Sequence, residues 1–90
     1  MWKAQTPTSS ELYNAKELAF IIKNTNEEYA SFYYNFSFFD SIWGETTLGQ
    51  SWSNKYFYLQ VGNTSGTWFY DGSGLVFPAD TQPILVAYKI

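Results

Sequence analysis

The stretch YASFYYNFSFF, residues Tyr29–Phe39, decides the fold of this chain. Its even-numbered positions are Ala30, Phe32, Tyr34, Phe36 and Phe38, whereas its odd-numbered positions mix tyrosines with serines, Asn35 and Phe39. Apolar and mixed positions that alternate with a period of two are typical of an antiparallel strand with one buried face. We therefore predict a long strand here, with its even-numbered side facing the core.

Shorter segments with the same alternation follow, separated by turn residues. The predicted strands are Lys55–Val61, Thr67–Tyr70, Leu75–Phe77 and Ile84–Ile90. Predicted turns lie at Gly62–Gly66 and at Asp71–Gly74, and Asp40–Asn54, with its glycines and small polar residues, is predicted to be mostly loop. Residues 29–90 are thus expected to form an antiparallel meander of roughly five strands.

A different pattern precedes Tyr29. Residues 8–11 (TSSE) have the form of a helix capping box, with a hydroxyl three positions before a glutamate. The apolar positions behind it fall on one side of a helix: Leu12, Ala15, Leu18, Ala19 and Ile22. We predict an amphipathic helix over residues 9–23, after a lead of residues 1–8, packed on the sheet in a single α+β domain.

Two residues leave an alternative open for this segment. Phe20 and Ile21 lie off the helical stripe, so Leu18–Asn24 could instead be a strand, turned back by Thr25–Glu28 into the next one. For the whole chain, the corresponding alternative is an all-β small sandwich or partly closed barrel.

Composition limits how such a domain is stabilised. The chain has 90 residues and no cysteine, so no disulfide supports its core. Four Trp, eight Tyr and eight Phe are the main source of apolar area, and many of them must be buried for the chain to fold.

Missing residue types exclude most catalytic chemistry. Without histidine or cysteine, Ser-His-Asp and Cys-His sites cannot form, and zinc loses its usual ligands. The remaining candidates are carboxylates whose spacing does not predict convergence: Asp40, Glu45, Asp71 and Asp80. Asp71-Gly72-Ser73-Gly74 is interpreted as a hairpin turn rather than part of a calcium loop. We expect no catalytic residues, no metal and no cofactor.

Charge and hydropathy also restrict the partners. All five basic residues are dispersed lysines and the net charge is -3, so nucleic acid is not an expected partner. No apolar run is long enough for a membrane span and the first ten residues lack a signal-peptide pattern. We expect a cytoplasmic protein, with secretion after leader removal left open. The Asn-, Ile- and Lys-leaning composition suggests a bacterium or its phage.

The candidate binding surface is the set of tyrosine and tryptophan residues assigned to the outer faces of the strands. They are Tyr33, Tyr56, Tyr58, Trp68 and Tyr70. Such rings suit a surface that is exposed to water in the free protein and buried in a complex, although cross-strand ring pairs also stabilise a sheet without any partner.

Three functions fit this surface. Recognition of another protein, by an inhibitor or accessory protein, is the first hypothesis. Carbohydrate binding is the second, with Trp68 and Tyr70 as stacking rings near the Gly62–Gly66 turn and polar contacts from Gln60, Asn63 and Asp71. Self-association in a homo-oligomer is the third.

Overall fold

The computed structural model describes residues 2–4, 10–39, 47–49 and 55–90. Within these residues the chain is nearly all β. Its strands are β1 (Trp2–Ala4), β2 (Glu17–Asn24), β3 (Tyr29–Asn35), β4 (Phe57–Val61), β5 (Thr64–Tyr70), β6 (Leu75–Val76) and β7 (Thr81–Lys89). Two antiparallel sheets result, one in the order β1-β7-β2-β3 and the other in the order β4-β5-β6.

The predicted helix over residues 9–23, and with it the α+β class, is wrong. Leu18, Phe20 and Ile22 are buried at every second position of β2, and no described helix packs on a sheet. A helix with Leu18 and Ile22 inward would have left Phe20 in water, whereas the strand buries it. The β-branched and aromatic residues of this segment also favour a strand. The strand that had been the alternative for Leu18–Asn24, followed by a turn, is what the structure contains.

The amphipathic pattern before β2 reflects a single helical turn. Ser10–Asn14 forms a short 3-10 helix, which buries Leu12, and the chain is already extended at Glu17. Thr8 and Ser9 of the expected capping box lie outside the described residues. The Glu11 carboxylate accepts hydrogen bonds from the Tyr88 hydroxyl and from Lys3, so it connects the 3-10 helix to β7 and β1.

The strand predicted from Tyr29 is confirmed up to Asn35. Its even positions face inward and its odd positions are exposed. The strand ends because the Asn35 side-chain oxygen accepts the Ser37 amide at 3.0 Å, which forms a turn that competes with pairing. Phe36–Phe39 is a short 3-10 helix. Of the predicted loop Asp40–Asn54, only residues 47–49 are described.

Two later strands are longer than predicted. The β4–β5 hairpin turns within Gly62-Asn63, since Val61 pairs with Thr64, and Gly62 has the positive φ of 57° that such a tight turn requires. β7 begins at Thr81 and contains a β-bulge: Ile21 of β2 pairs with Leu85 but Ile22 pairs with Pro83. Ile84 is therefore an extra residue on β7.

The inner faces of both sheets share one core, with Trp68 among its fully buried residues. The Trp68 ring stacks on Phe57 with centroids 4.6 Å apart, and it meets Tyr34 at 5.0 Å and Phe20 at 5.3 Å. Its indole nitrogen donates to the Tyr34 hydroxyl at 3.1 Å. Rings from both sheets therefore meet at one residue of β5.

A buried asparagine joins the two sheets at one end. The Asn24 amide donates to the Val61 carbonyl at 3.1 Å, and its oxygen accepts the backbone amides of Asn26 and Glu28 at 3.0 and 2.9 Å. Because Asn24 is buried, these bonds are shielded from water. They fix the β2–β3 turn to the end of β4.

Candidate binding surfaces

The structure separates the tyrosine and tryptophan residues of the predicted surface. Tyr33, Tyr56 and Tyr58 are 56%, 65% and 65% exposed, but Trp68 and Tyr70 are fully buried. Assigning Trp68 and Tyr70 to the outer face was wrong. On β5 the outward position is Phe69, which pairs with the exposed Val76, whereas Tyr70 pairs with the buried Leu75.

The three exposed tyrosines of the predicted surface lie on two different faces of the protein. Tyr33 belongs to the outer face of the four-stranded sheet, which we call the first face. Tyr56 and Tyr58 belong to the outer face of the three-stranded sheet, which we call the second face. Because the two sheets enclose a common core between them, these faces cannot act as one site.

A pair of rings dominates the first face. Trp2 on β1 and Tyr33 on β3 have ring centroids 6.2 Å apart, although β7 and β2 lie between their strands. The two edge strands are separated by three strand spacings, about 14 Å. The rings can meet because the two central strands place alanines, Ala87 and Ala19, in the same row as Tyr33. Small side chains leave room for both rings to lie across the sheet.

Charged groups hold Tyr33 in this orientation. The Tyr33 hydroxyl donates to a Glu17 carboxylate oxygen at 2.6 Å, and the Lys89 ammonium lies 3.4 Å from the other oxygen. The tyrosine hydrogen bond, followed by Lys89, lowers the pKa of Glu17 below its ordinary value. The same hydrogen bond raises the pKa of Tyr33. At neutral pH the carboxylate is therefore charged and the phenol is protonated, as the hydrogen bond requires.

Apolar residues extend the first face beyond the ring pair. Leu85 lies opposite Ile21, and the bulge in β7 exposes Ile84 beside it, so Leu85 and Ile84 are 48% and 50% exposed. Tyr29, 60% exposed, lies on the same side of β3 as Tyr33. The first face thus combines rings with exposed aliphatic side chains.

The second face carries rings and uncharged polar groups. The Tyr56 ring lies 4.9 Å from that of Phe69. The Tyr58 hydroxyl donates to the Gln60 side-chain oxygen at 2.7 Å, and the Gln60 amide donates to the Gly62 carbonyl at 3.1 Å. Each side chain of this face therefore has a neighbour that restricts its rotamers.

Of the polar residues predicted for a sugar site, Gln60 and Asn63 lie close together, whereas the Asp71 side chain is used by its own turn. Gln60 is exposed on the second face, and Asn63 is exposed in the adjoining turn. The Asp71 carboxylate instead stabilises its own turn, because one oxygen accepts the Ser73 amide at 2.9 Å and the Gly74 amide at 3.1 Å. These bonds, led by the Ser73 amide, lower the pKa of Asp71. The interpretation of Asp71–Gly74 as a turn is confirmed.

Among the described residues, no group of three or more carboxylates could hold a metal ion. Asp40 and Glu45, two of the carboxylates considered from the sequence, lie outside the described residues. An open polar cleft of about 320 Å³ lies beside Lys23, Glu27 and Asp80. No helix in the described ranges has the length and apolar character needed to cross a membrane.

Sequence reasoning missed several residues of these surfaces. Trp2 is not among the predicted surface residues, because a three-residue strand carries no detectable periodicity. Phe69 is not among them either, because Trp68 and Tyr70, which have the opposite parity on β5, were assigned to the outer face. Ile84 and Leu85 are both exposed because of the bulge in β7, and the sequence pattern does not predict that Ile84 is an extra residue.

The geometry of the two faces is the available guide to function, since no family model matches the chain and neither a curated protein nor a solved structure is significantly similar to it.

Proposed function

We propose that this protein is a non-enzymatic binding domain that recognises another protein through its first face. The observation that carries the proposal is the Trp2–Tyr33 ring pair, which lies across the two central strands of the sheet and is continued by exposed aliphatic residues. Trp and Tyr are the residue types that most often dominate the energetics of protein interfaces. Here they are already ordered before binding, which reduces the entropy lost on association.

The size of the first face supports a protein partner. With about 200 Å² for a full aromatic side chain, the exposed parts of Trp2, Tyr29 and Tyr33 present about 300 Å² of ring surface. Ile84 and Leu85 add further apolar area. The largest apolar patch of a typical monomer is about 300–600 Å² and is often functional. A standard interface buries about 800 Å² on each partner, so this patch has the size of an interface core.

Charges at the margins of the first face fit the same function. Glu17 and Lys89 lie beside the ring pair, and Lys23 lies at the other end of β2. Interfaces commonly surround an apolar centre with a polar rim that carries both signs of charge. An inhibitor or accessory protein of a bacterium or phage is the finer form of this proposal, and it rests on the sequence composition.

The test compares variants of the two faces in quantitative affinity purification from a lysate of the source organism. Tyr33→Ala combined with Leu85→Asp changes the first face, and Tyr58→Ala on the second face is the matched control. We expect a protein captured by the wild type to be lost by the double variant and retained by the control. Circular dichroism establishes that both variants are folded.

Two results would contradict the proposal. One is that every captured protein is retained by the folded double variant. The other is a partner lost equally by both variants. If light scattering shows a dimer that the double variant converts to a monomer, the first face binds a second copy, and heterologous recognition is wrong.

A further inference from the structure

We infer that the second face is a separate binding site for a neutral carbohydrate chain. The aromatic part of the site is a short row of rings along β4. Tyr58 is exposed on β4, and Tyr56, also exposed, directly precedes the strand, about 7 Å from Tyr58 along an extended chain. Phe69 of β5 extends the row sideways. Exposed rings in a line provide stacking platforms for successive sugar units.

The absence of charge on this face distinguishes it from the first face. Across the β4–β5 register, Tyr58 is opposite Thr67 and Gln60 is opposite Ser65. Among the described residues, charged side chains occur at its margins, at Lys55 before β4, at Asp71 after β5 and at Glu28, whose carboxylate lies beside Gly62 of the turn. The Asp71 carboxylate is already used by its own turn. A surface of this composition matches an uncharged ligand, because it neither attracts nor repels charged groups.

The polar groups of the second face suit sugar hydroxyls. Hydroxyl and amide side chains both donate and accept hydrogen bonds, as sugar hydroxyls do. The chain of bonds from Tyr58 through Gln60 to the Gly62 carbonyl fixes the Tyr58 ring and its hydroxyl before any ligand arrives. The fixed geometry lowers the entropy cost of ordering these side chains on binding.

The location differs from the sugar site expected from the sequence. That site depended on Trp68 and Tyr70, which are in the core. In the structure Gln60 is adjacent to Tyr58 instead, so the carbohydrate hypothesis now concerns β4. Since the first face lies on the other sheet, this inference is independent of protein recognition there.

The experiment measures binding of four neutral oligosaccharides, cellohexaose, xylohexaose, maltohexaose and hexa-N-acetylchitohexaose, by isothermal titration calorimetry. We expect at least one to bind. Tyr58→Ala should weaken that binding by about tenfold or more, because the stacking ring and its bond to Gln60 are both lost. Tyr58→Phe keeps the ring and should cause a smaller loss. Tyr33→Ala, on the first face, should leave the affinity unchanged.

Several results would overturn the inference. They are no binding of any of the four sugars, unchanged affinity in Tyr58→Ala, or an equal loss in Tyr33→Ala. Preferential binding of an anionic polysaccharide such as alginate would also be contrary to a neutral site. Loss of a protein partner in the first-face double variant, with sugar binding intact, would separate this result from the test of protein recognition.

Discussion

Replacing Trp68 tests the division between core and surface most directly. If Trp68 were on an outer face, alanine there would weaken binding and leave the fold intact. The structure instead encloses the indole completely, stacks it on Phe57 and bonds it to the Tyr34 hydroxyl. We therefore expect Trp68→Ala to act on stability.

The magnitude follows from the burial of this side chain. Truncation of a buried Trp or Phe to alanine costs about 3–5 kcal/mol. A chain of 90 residues is expected to have a total free energy of unfolding of about 5–13 kcal/mol. Trp68→Ala should thus remove about a quarter of the stability or more. Trp68→Phe keeps a stacking ring but leaves the partly buried Tyr34 hydroxyl without its donor, which should cost about 2 kcal/mol.

Urea denaturation followed by far-ultraviolet circular dichroism measures both effects, because this signal does not depend on the removed indole. With a denaturant slope of about 1 kcal/mol per molar, Trp68→Phe should lower the midpoint by about 2 M. The matched control is Tyr58→Ala, an exposed ring on β4 whose loss should cost less than about 1 kcal/mol. The reasoning fails if Trp68→Ala is as stable as Tyr58→Ala, or if Trp68→Phe leaves the midpoint unchanged.

Three further predictions concern other parts of the fold. Asn24→Ala should lower the free energy of unfolding by about 2–3 kcal/mol in urea, because buried donors and acceptors lose their partners; a wild-type midpoint would show that Asn24 does not join the sheets. Glu27 has a φ of 63°, so Glu27→Gly should relieve up to about 1 kcal/mol of backbone strain and raise the thermal midpoint, whereas a lower midpoint contradicts this reason. Glu11 and Glu17 have pKa values lowered from 4.5, mainly by tyrosine hydroxyl hydrogen bonds. The stability that these two carboxylates contribute is present above about pH 4.5 and is lost as the pH falls through their lowered pKa values. Replacing both with glutamine should therefore make the free energy of unfolding depend less on pH in the acid range. An unchanged pH profile of unfolding would contradict this reasoning.

The parts of the fold that could be predicted are those governed by local periodicity. The alternation from Tyr29 to Asn35 and the turn at Asp71–Gly74 depend on neighbouring residues, and both are present in the structure. The segment Glu17–Asn24 satisfied a helical and a strand pattern at once. Pairing of β2 with β3 and β7 decides between these patterns, because in the paired strand Phe20 is buried between the two sheets. Such pairing is not a property of the segment itself.

The candidate surfaces were predicted less completely for a related reason. Tyr and Trp residues occur in this protein both as core and as surface, so residue type alone does not assign them to a face. Trp68 is buried because its side of β5 faces the Tyr34 and Phe57 rings, whereas Tyr58 is exposed because it has the opposite parity to Phe57. Parity along a strand can be read from a sequence, but which parity faces the core depends on the other sheet.

The ring pair of the first face shows how far this dependence extends. Trp2 and Tyr33 lie far apart in the chain, and their contact requires that β2 and β7 both present alanine in the row of Tyr33. The bulge at Ile84 changes the side-chain parity of β7, so that Ala87, and not its neighbour Tyr88, points outward. A larger side chain at Ala19 or Ala87 would occupy the space above the sheet where the two rings meet. The proposed interface is therefore produced by strand register, and the alanines in the central strands determine it as much as the aromatic residues do.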